Sequence, residues 1–121
     1  MIEATDATIL ISSNKVVGAA VYNKDAENIG KIDDLMIDRR TGQTAYAVLS
    51  FGGFLGVGAD YYPIPWRRLV YNSTLAGYVV DLTPTQLESA PSFSRGADPE
   101  WDSADYEAGL QTHYGVGPYP A

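Results

Sequence analysis

The feature that most restricts the fold of this chain is a series of short β-forming runs, each ended by Gly, Asn or Pro. The runs cover residues 16–22, 31–38, 43–51, 61–71 and 78–82. Short strands at this spacing are typical of small barrels and sandwiches. We therefore predict a mostly β fold: a small, strongly bent β-barrel of five to six strands.

Two of these runs carry further detail. In run 31–38, Ile32 has one parity, while Leu35 and Ile37 have the other. A slip of one residue reconciles them, which predicts a β-bulge at residues 33–34. A hairpin connection should follow at 38–42, with Gly42 in a left-handed conformation. Run 43–51 is apolar on both faces apart from its ends, so we predict a central strand covered on both sides.

Run 61–71 contains Pro63 and Pro65, which have no N–H to donate. This strand should therefore be an edge, or be kinked and paired on one side. Residues 69–71 should continue it, and Arg67 and Arg68 should point to opposite sides. In the last run, Tyr78 and every second residue after it form one apolar face, which predicts a half-buried strand.

One short helix should follow the last strand. Thr83 is the expected N-cap, Pro84 suits the first helical position, and Gln86 occupies the capping-box position. Pro91 limits this helix to about two turns.

The remaining C-terminal tail should be irregular or partly helical. A helix near residues 101–110 would place Trp101, Asp105 and Ala108 near one face. We divide the chain into an N-terminal extension (1–13), a barrel-like domain (14–93) and an acidic aromatic C-terminal tail (94–121).

The net charge of −7, from 8 Lys and Arg against 15 Asp and Glu, is unevenly distributed. Residues 1–14 carry −2, residues 15–82 carry seven acids and seven bases, and residues 83–121 carry six acids and one base. An acidic chain is a poor match for the phosphate backbone, so we expect no nucleic-acid binding. The acidity of the ends favours solubility and docking by the ends.

Other classes are excluded by composition. The absence of cysteine removes disulfides, thiol catalysis and Cys-ligated zinc or iron–sulfur sites. Apolar runs are only a few residues long, and the first ten residues have two acids and no Lys or Arg. We therefore expect no membrane insertion and no signal peptide, and a cytoplasmic location.

Several motifs resemble the PRC-barrel domain family. They are Val17-Gly18 with Val21-Tyr22, Ile29-Gly30-Lys31-Ile32, Leu35-Met36-Ile37-Asp38 with Gly42, Ala45-Tyr46-Ala47-Val48, Gly52-Gly53-Phe54-Leu55-Gly56, Pro63-Ile64-Pro65-Trp66 and Leu87-Glu88-Ser89-Ala90-Pro91. The resemblance covers about residues 14–93 and is greatest to the stand-alone bacterial members. That family also contains the cytoplasmic barrel of the photosynthetic reaction centre H subunit and the C-terminal domain of a ribosome maturation factor.

The resemblance implies a small bent barrel that acts as a protein-binding adaptor without catalysis. The H subunit's transmembrane helix and the maturation factor's separate N-terminal domain have no counterpart in this sequence. We therefore carry over neither reaction-centre assembly nor 16S rRNA processing. The expected function is a non-catalytic, homodimeric interaction module with another protein as partner and no cofactor.

The glycine-rich segment 52–58 has two interpretations. Phe54, Leu55 and Val57 either fold over one end of the barrel or stay exposed as a docking patch that would suit a homodimer. A phosphate-binding loop is disfavoured because the Gly-Lys-Ser/Thr ending is missing and no helix follows. Trp66 is either a core residue or, with the arginines after it, an anchor for a partner.

The tail also leaves two alternatives. Residues 98–107 contain five acids interleaved with Trp101 and Tyr106. This segment either docks on a basic groove of a partner or packs back on its own barrel or that of a dimer mate. Deleting residues 94–121 would distinguish these alternatives through the stability of the remainder.

The acids of the body offer an alternative function: a small-ligand or metal-ion sensing barrel. Oxygen ligands for Ca²⁺ or Mg²⁺ are available from Asp25, Glu27, Asp33, Asp34 and Asp38. They lack EF-hand spacing, so we interpret them as solvated carboxylates and predict no metal site. The single histidine, His113, lies in the tail, and we find no convergent catalytic set.

Overall fold

A computed structural model describes residues 10–51, 60–94, 96–97, 99–101 and 103–116. Its strands are β1 Ala20–Tyr22, β2 Asn28–Ile37, β3 Thr44–Phe51, β4 Asp60–Pro65, β5 Leu69–Asn72, β6 Gly77–Val80 and β7 Phe93–Ser94. Its helices are α1 Ser13–Val16, a 3₁₀ helix Trp66–Arg68, α2 Pro84–Glu88 and α3 Ala104–Tyr114.

The strands form one mixed sheet in the order β5-β6-β1-β2-β3-β4-β7. All neighbours are antiparallel except β1 and β6, which pair in parallel. The mostly β prediction is confirmed, but a count of five to six strands is too low, since the described residues form seven. Closure of the sheet into a barrel is not detected within the described part of the chain.

The connection from β4 to β5 turns a corner that the sequence prediction missed. The expected continuous strand 61–71 is interrupted by the 3₁₀ helix, after which β5 pairs with β6 at the other end of the sheet. The two arginines therefore lie on a helical turn and not on opposite sides of a strand. Because only three residues join β4 to β5, the two ends of the sheet come close together at this corner.

The predicted bulge and hairpin are confirmed. The register between β2 and β3 shifts between Ile32 and Asp34, as the change of parity required. In the following turn, the Gly42 N–H donates to the Asp38 carbonyl, and Gly42 has a φ of 80°. This turn closes only when the residue at position 42 has a left-handed backbone conformation, and glycine adopts that conformation at no steric cost.

The two predictions about strand environment also hold. Strand β3 lies between β2 and β4, and its four consecutive residues 46–49 are all buried, so both of its faces are covered. Strand β4 pairs with β3 along its whole length, but with β7 only at Asp60 and Tyr61. Pro63 and Pro65 follow on the side that lacks a described partner strand, where a missing N–H costs no ladder bond.

The beginning of the body differs from the predicted strand 16–22. Only Ala20–Tyr22 is a strand, because Ser13–Val16 forms one helical turn and Gly18, with a φ of 96°, reverses the chain. The Gly18 N–H donates to the Ile32 carbonyl at 2.7 Å, which attaches this turn to β2. The β-forming residues before Ala20 therefore do not join the strand, because the chain turns at a glycine.

A hydrophobic core lies between the sheet and helices α2 and α3. Its fully buried members include Val21, Ile32, Leu49, Ile64 and Leu87. Burial of each such side chain contributes about 1.5–3 kcal/mol to folding. Among the described residues, no helix combines the length and apolarity needed to cross a bilayer.

Helix α2 begins as predicted. The Thr83 side chain accepts from the Gln86 N–H, and the Gln86 side chain accepts in turn from the Thr83 N–H, a complete capping box.

Helix α3 was expected near residues 101–110, but its buried face was not identified correctly. It begins after the N-cap Ser103 and ends at Gly115, whose φ is 65°. The side turned toward the core carries Tyr106, Leu110 and Tyr114, spaced four residues apart, whereas Asp105 and Ala108 are exposed. The described part of the tail therefore packs on its own sheet, one of the two alternatives left open by the sequence.

Candidate functional site

A groove of about 490 Å³ lies where the hairpin between β2 and β3 meets the C-terminal segment. We call it the Trp101 groove. It is lined by Met36, Ile37, Asp38, Arg39, Arg40, Ala45, Tyr46, Trp101, Tyr106, Glu107 and Leu110. Strands β2 and β3 position the first seven of these residues, and the segment around α3 positions the other four.

Aromatic rings form one wall of the groove. The ring centroids of Trp101 and Tyr46 are 6.1 Å apart, and those of Trp101 and Tyr106 are 5.6 Å apart in an edge-to-face arrangement. Such pairs contribute about 0.5–1.5 kcal/mol beyond their buried area. Trp101 is thus held between the sheet and α3, and it also lines a smaller groove of about 230 Å³ that contains Asp33 and Asp34.

A polar contact joins the two sides of the groove. The Tyr46 hydroxyl donates to the Glu107 carboxylate over 3.2 Å. Burial, and then the negative charge of Glu107, raise the pKa of Tyr46 to about 12. The hydroxyl therefore stays protonated, and it stays a hydrogen-bond donor, throughout the neutral range.

The hairpin supplies the charged rim. The Arg40 guanidinium donates to both oxygens of the Asp38 carboxylate, at 3.0 and 3.3 Å. These bonds, with the backbone N–H of Arg40, hold the pKa of Asp38 at about 2. Arg39, by contrast, is exposed and has no hydrogen-bond or ion-pair partner within the described ranges.

The structure brings together two of the six residues predicted to form an interface, Trp101 and Tyr106. Trp66 lies elsewhere: it is half-buried and packs against Tyr78, at a centroid distance of 5.4 Å, beside the core. The three loop residues Phe54, Leu55 and Val57 lie outside the described residues. The prediction that these six residues act in binding stays a prediction.

The candidate acidic ligands do not converge. Asp33 and Asp34 are exposed at the bulge, and Asp38 is paired with Arg40. Glu27 accepts from the side-chain amide of Asn23 at 2.7 Å. In the part of the chain that the structure describes, no three His, Asp or Glu side chains are grouped so as to hold a metal ion.

Sequence reasoning missed the sheet side of the groove. In the sequence, Tyr46 belongs to a predicted central strand and to a family-like motif, and Glu107 belongs to an acidic run. The two residues are 61 positions apart, and no local pattern links them. Only the packing of α3 on the sheet makes them neighbours.

Comparison with protein-family models identifies the family to which this sheet belongs. The model of the PRC-barrel domain matches residues 9–87, well over half of the chain. The chain belongs to the PRC-barrel family. A comparison with curated proteins gave no match.

The match also divides the Trp101 groove. The PRC-barrel match includes the hairpin with Tyr46 and Arg39, and it ends within α2. The other side of the groove, with Trp101, Tyr106 and Glu107, comes from the segment after residue 87. This PRC-barrel protein therefore combines a family domain with a C-terminal segment to build its groove.

Proposed function

We propose that this PRC-barrel protein is a non-catalytic adaptor, cytoplasmic and homodimeric, that binds a segment of another protein in the Trp101 groove. The observation that carries the proposal is the combination of residue types in this groove. Trp, Tyr and Arg are the residues that most often dominate binding energy at protein interfaces. Here Trp101, Tyr46 and Arg39 line one concave surface.

The exposure of the rim supports a protein partner. Ile37 is 52% exposed although it lies on a strand, so the apolar surface of the groove continues to its edge. Arg39 adds an exposed positive charge without a partner among the described residues. The complementary ligand is a peptide segment with an apolar or aromatic anchor next to a carboxylate.

The electrostatics of the groove support a non-catalytic role. General acid–base chemistry at neutral pH is most efficient when the pKa of the acting group lies near 7. The pKa of Tyr46 is raised to about 12, and that of Asp38 is lowered to about 2. Both groups are thus kept in one protonation state, which suits binding better than proton transfer.

A peptide library displayed against the full chain tests this function. We expect enrichment of segments that combine an aromatic or aliphatic residue with Asp or Glu, and quenching or enhancement of Trp101 fluorescence on binding. The variant Arg39→Glu should weaken binding about tenfold or more, while Lys15→Glu, an exposed reversal outside the groove, should not. Selected peptides that bind wild type and Arg39→Glu equally well would exclude the groove as the docking surface.

A small-ligand sensor is the second candidate, and the size of the groove favours it. A volume of about 490 Å³ falls within the range of pockets that bind small molecules. A thermal-shift screen of metabolites and metal ions on wild type and Arg39→Glu tests this alternative. A shift that occurs in wild type and is lost in the variant would favour the sensor over the adaptor.

A further inference from the structure

The second structural feature that suggests binding is the edge strand β5. Within the described residues it pairs only with β6, and its outer side has no backbone hydrogen-bond partner. Two adjacent residues of this strand, Val70 and Tyr71, are 67% and 49% exposed. Because neighbours on a strand point to opposite faces, apolar surface is exposed on both faces of this edge.

Strand β4, next to the opposite end of the sheet, is protected where β7 does not cover it. There Pro63 and Pro65 remove two N–H groups from the outer side of β4, and all of Tyr61–Pro65 is buried. Proteins commonly block sheet edges with proline, charge, a bulge or a covering segment, because bare edges pair with other chains. Strand β5, with the sequence Leu-Val-Tyr-Asn, has no proline, charge or bulge.

We propose that β5 pairs with β5 of a second copy of this chain, in antiparallel orientation about a two-fold axis. This inference rests on the homodimer in the proposed function and names its surface. When the two-fold axis is normal to a continuous sheet, paired residues of the two copies point to the same face. Each odd-numbered residue therefore lies opposite an odd-numbered one, and each even-numbered residue opposite an even-numbered one. Val70 or Tyr71 would therefore lie at the axis, opposite its own equivalent, and the apolar side chains would be paired.

The charge distribution supports a second copy as the occupant. Two chains of net charge −7 repel each other, and the repulsion is weakest where they meet at a surface without acids. Residues 61–80 contain no Asp or Glu. In the antiparallel pairing, the 3₁₀ helix with Arg67 and Arg68, which precedes β5 in one copy, lies near the neutral end of β5 and its turn, residues 72–74, in the other, so like charges are not opposed.

The size of the contact sets the expected strength. A strand of four residues buries less surface than the roughly 1,200–2,000 Å² of a stable specific interface. We therefore expect a weak, concentration-dependent dimer. Raising the chain from low micromolar to millimolar concentration should move it from monomer to dimer in sedimentation velocity.

Charge introduced at the axis tests the surface. We expect Val70→Lys to weaken dimerisation about tenfold or more, because two ammonium groups would be brought together across the axis. Val70 is mostly exposed, so the fold should be kept. The matched control is Ile37→Lys, a similarly exposed β-branched residue on β2, which should dimerise like wild type.

Cross-linking provides a second, independent measurement. The chain has no cysteine, so Val70→Cys, Tyr71→Cys and Ile37→Cys each introduce a single thiol. A disulfide requires Cβ atoms about 4 Å apart, which residues at a two-fold axis satisfy. We expect rapid oxidation to covalent dimer for Val70→Cys or Tyr71→Cys, and slow oxidation for Ile37→Cys.

The outcomes separate this inference from the proposed function. A wild-type dimer that Val70→Lys leaves intact, with equal cross-linking rates at all three positions, would overturn the β5 surface and keep the homodimer. A wild-type chain that is monomeric at every concentration would overturn both the homodimer and the β5 surface. Peptide binding in the Trp101 groove is measured separately and is affected by neither result.

Discussion

The PRC-barrel sheet and the C-terminal segment that packs on it are held in different ways. Each strand of the sheet is tied to its neighbours by backbone ladders, and the region 15–82 has no net charge. The segment 101–116 meets the sheet through a few side chains, chiefly Trp101, Tyr106, Leu110 and Tyr114, and it lies in the part of the chain that carries −5.

This difference shows where the groove gains its shape. Helix α3 is attached by its apolar face, by the bond from Tyr46 to Glu107, and by Arg68, whose guanidinium donates to the Tyr114 carbonyl at 3.3 Å. A cation at the C-terminal end of a helix also interacts favourably with the helix dipole. The backbone ladders of the sheet do not include α3, whereas the groove takes its second wall from the segment around it.

The largest expected effect lies within the sheet, at Gly30. A Cβ atom placed there would collide with the backbone carbonyl oxygen of Ser50 on β3, and a backbone atom in a ladder cannot move aside. We expect Gly30→Ala to lower the free energy of unfolding by about 3 kcal/mol or more in urea denaturation.

The matched control is Gly42→Ala in the hairpin, where an added Cβ meets nothing within 4 Å. Its cost should come only from the left-handed conformation and be about 1–2 kcal/mol. Equal losses of unfolding free energy for the two variants would show that the close approach of β2 and β3 does not determine the stability of the sheet.

The attachment of α3 provides the next largest effect. Leu110 is fully buried against the core, so Leu110→Ala should lower the free energy of unfolding by about 2–5 kcal/mol. Thr112→Ala, two residues along on the exposed side, should change it little.

The two tryptophans allow the two regions to be followed separately. Trp66 lies in the family domain and Trp101 beside α3, so Trp101→Phe and Trp66→Phe each leave one fluorescent reporter. We expect both reporters to give the same urea midpoint, as one cooperative unit would. A lower midpoint for the Trp101 signal alone would show that α3 unfolds before the sheet.

These differences also explain how far sequence could predict the molecule. The bulge after Ile32, the Gly42 turn and the Thr83 cap are local rules, in which a few neighbouring residues determine the backbone, and all three are confirmed. The corner at Trp66–Arg68 and the closeness of Tyr46 to Glu107 depend on tertiary packing. No periodicity within one segment contains that information.

The buried face of α3 shows the same limit within one element. With the helix started at Trp101, the pattern favoured a face through Asp105 and Ala108. The Ser103 cap sets the start at Ala104, and the sheet selects the face with Leu110 and Tyr114 instead. Of the candidate site, sequence reasoning therefore identified Trp101 and Tyr106 and missed the opposite wall.

A smaller effect is expected at the junction of the two regions and at alkaline pH. The pKa of Tyr46 is raised in the folded state, so between pH 10 and about 12 the unfolded chain loses this proton first. Stability should therefore fall as the pH rises through that window. Tyr46→Phe should cost about 1 kcal/mol at neutral pH and make the alkaline fall less steep.

Glu107→Gln is the control for this prediction, because it keeps an acceptor near the hydroxyl and removes the negative charge. The alkaline fall should still begin near pH 10, where the unfolded tyrosine ionises, but it should be smaller and end at a lower pH than in wild type, because the folded-state pKa of Tyr46 is raised less without the carboxylate. Thermal unfolding at pH values from 8 to 12 measures all three proteins. Identical curves for wild type and Glu107→Gln would show that this contact has no electrostatic role.

The smallest effect should appear on the sheet side alone and at acid pH. Asp38 has a pKa of about 2 in the folded state, below its ordinary value of 3.8, chiefly because Arg40 donates to its carboxylate. The stability it supplies is complete above pH 4 and is lost as the pH falls toward 2. Asp38→Asn keeps an oxygen for the N–H groups of Arg40 and Thr41 but removes the charge, so it should flatten this acid loss.

The effect is small because the Arg40 guanidinium is exposed, and salt and water screen such a pair. Thermal melting between pH 2 and 6, at low and high salt, should show the difference between wild type and Asp38→Asn, and high salt should reduce it. Arg40→Gln, which removes the other partner, should show the same reduced acid loss. If both variants follow the wild-type acid curve, the hairpin contributes no pH dependence, and the acid sensitivity of the sheet comes from other carboxylates.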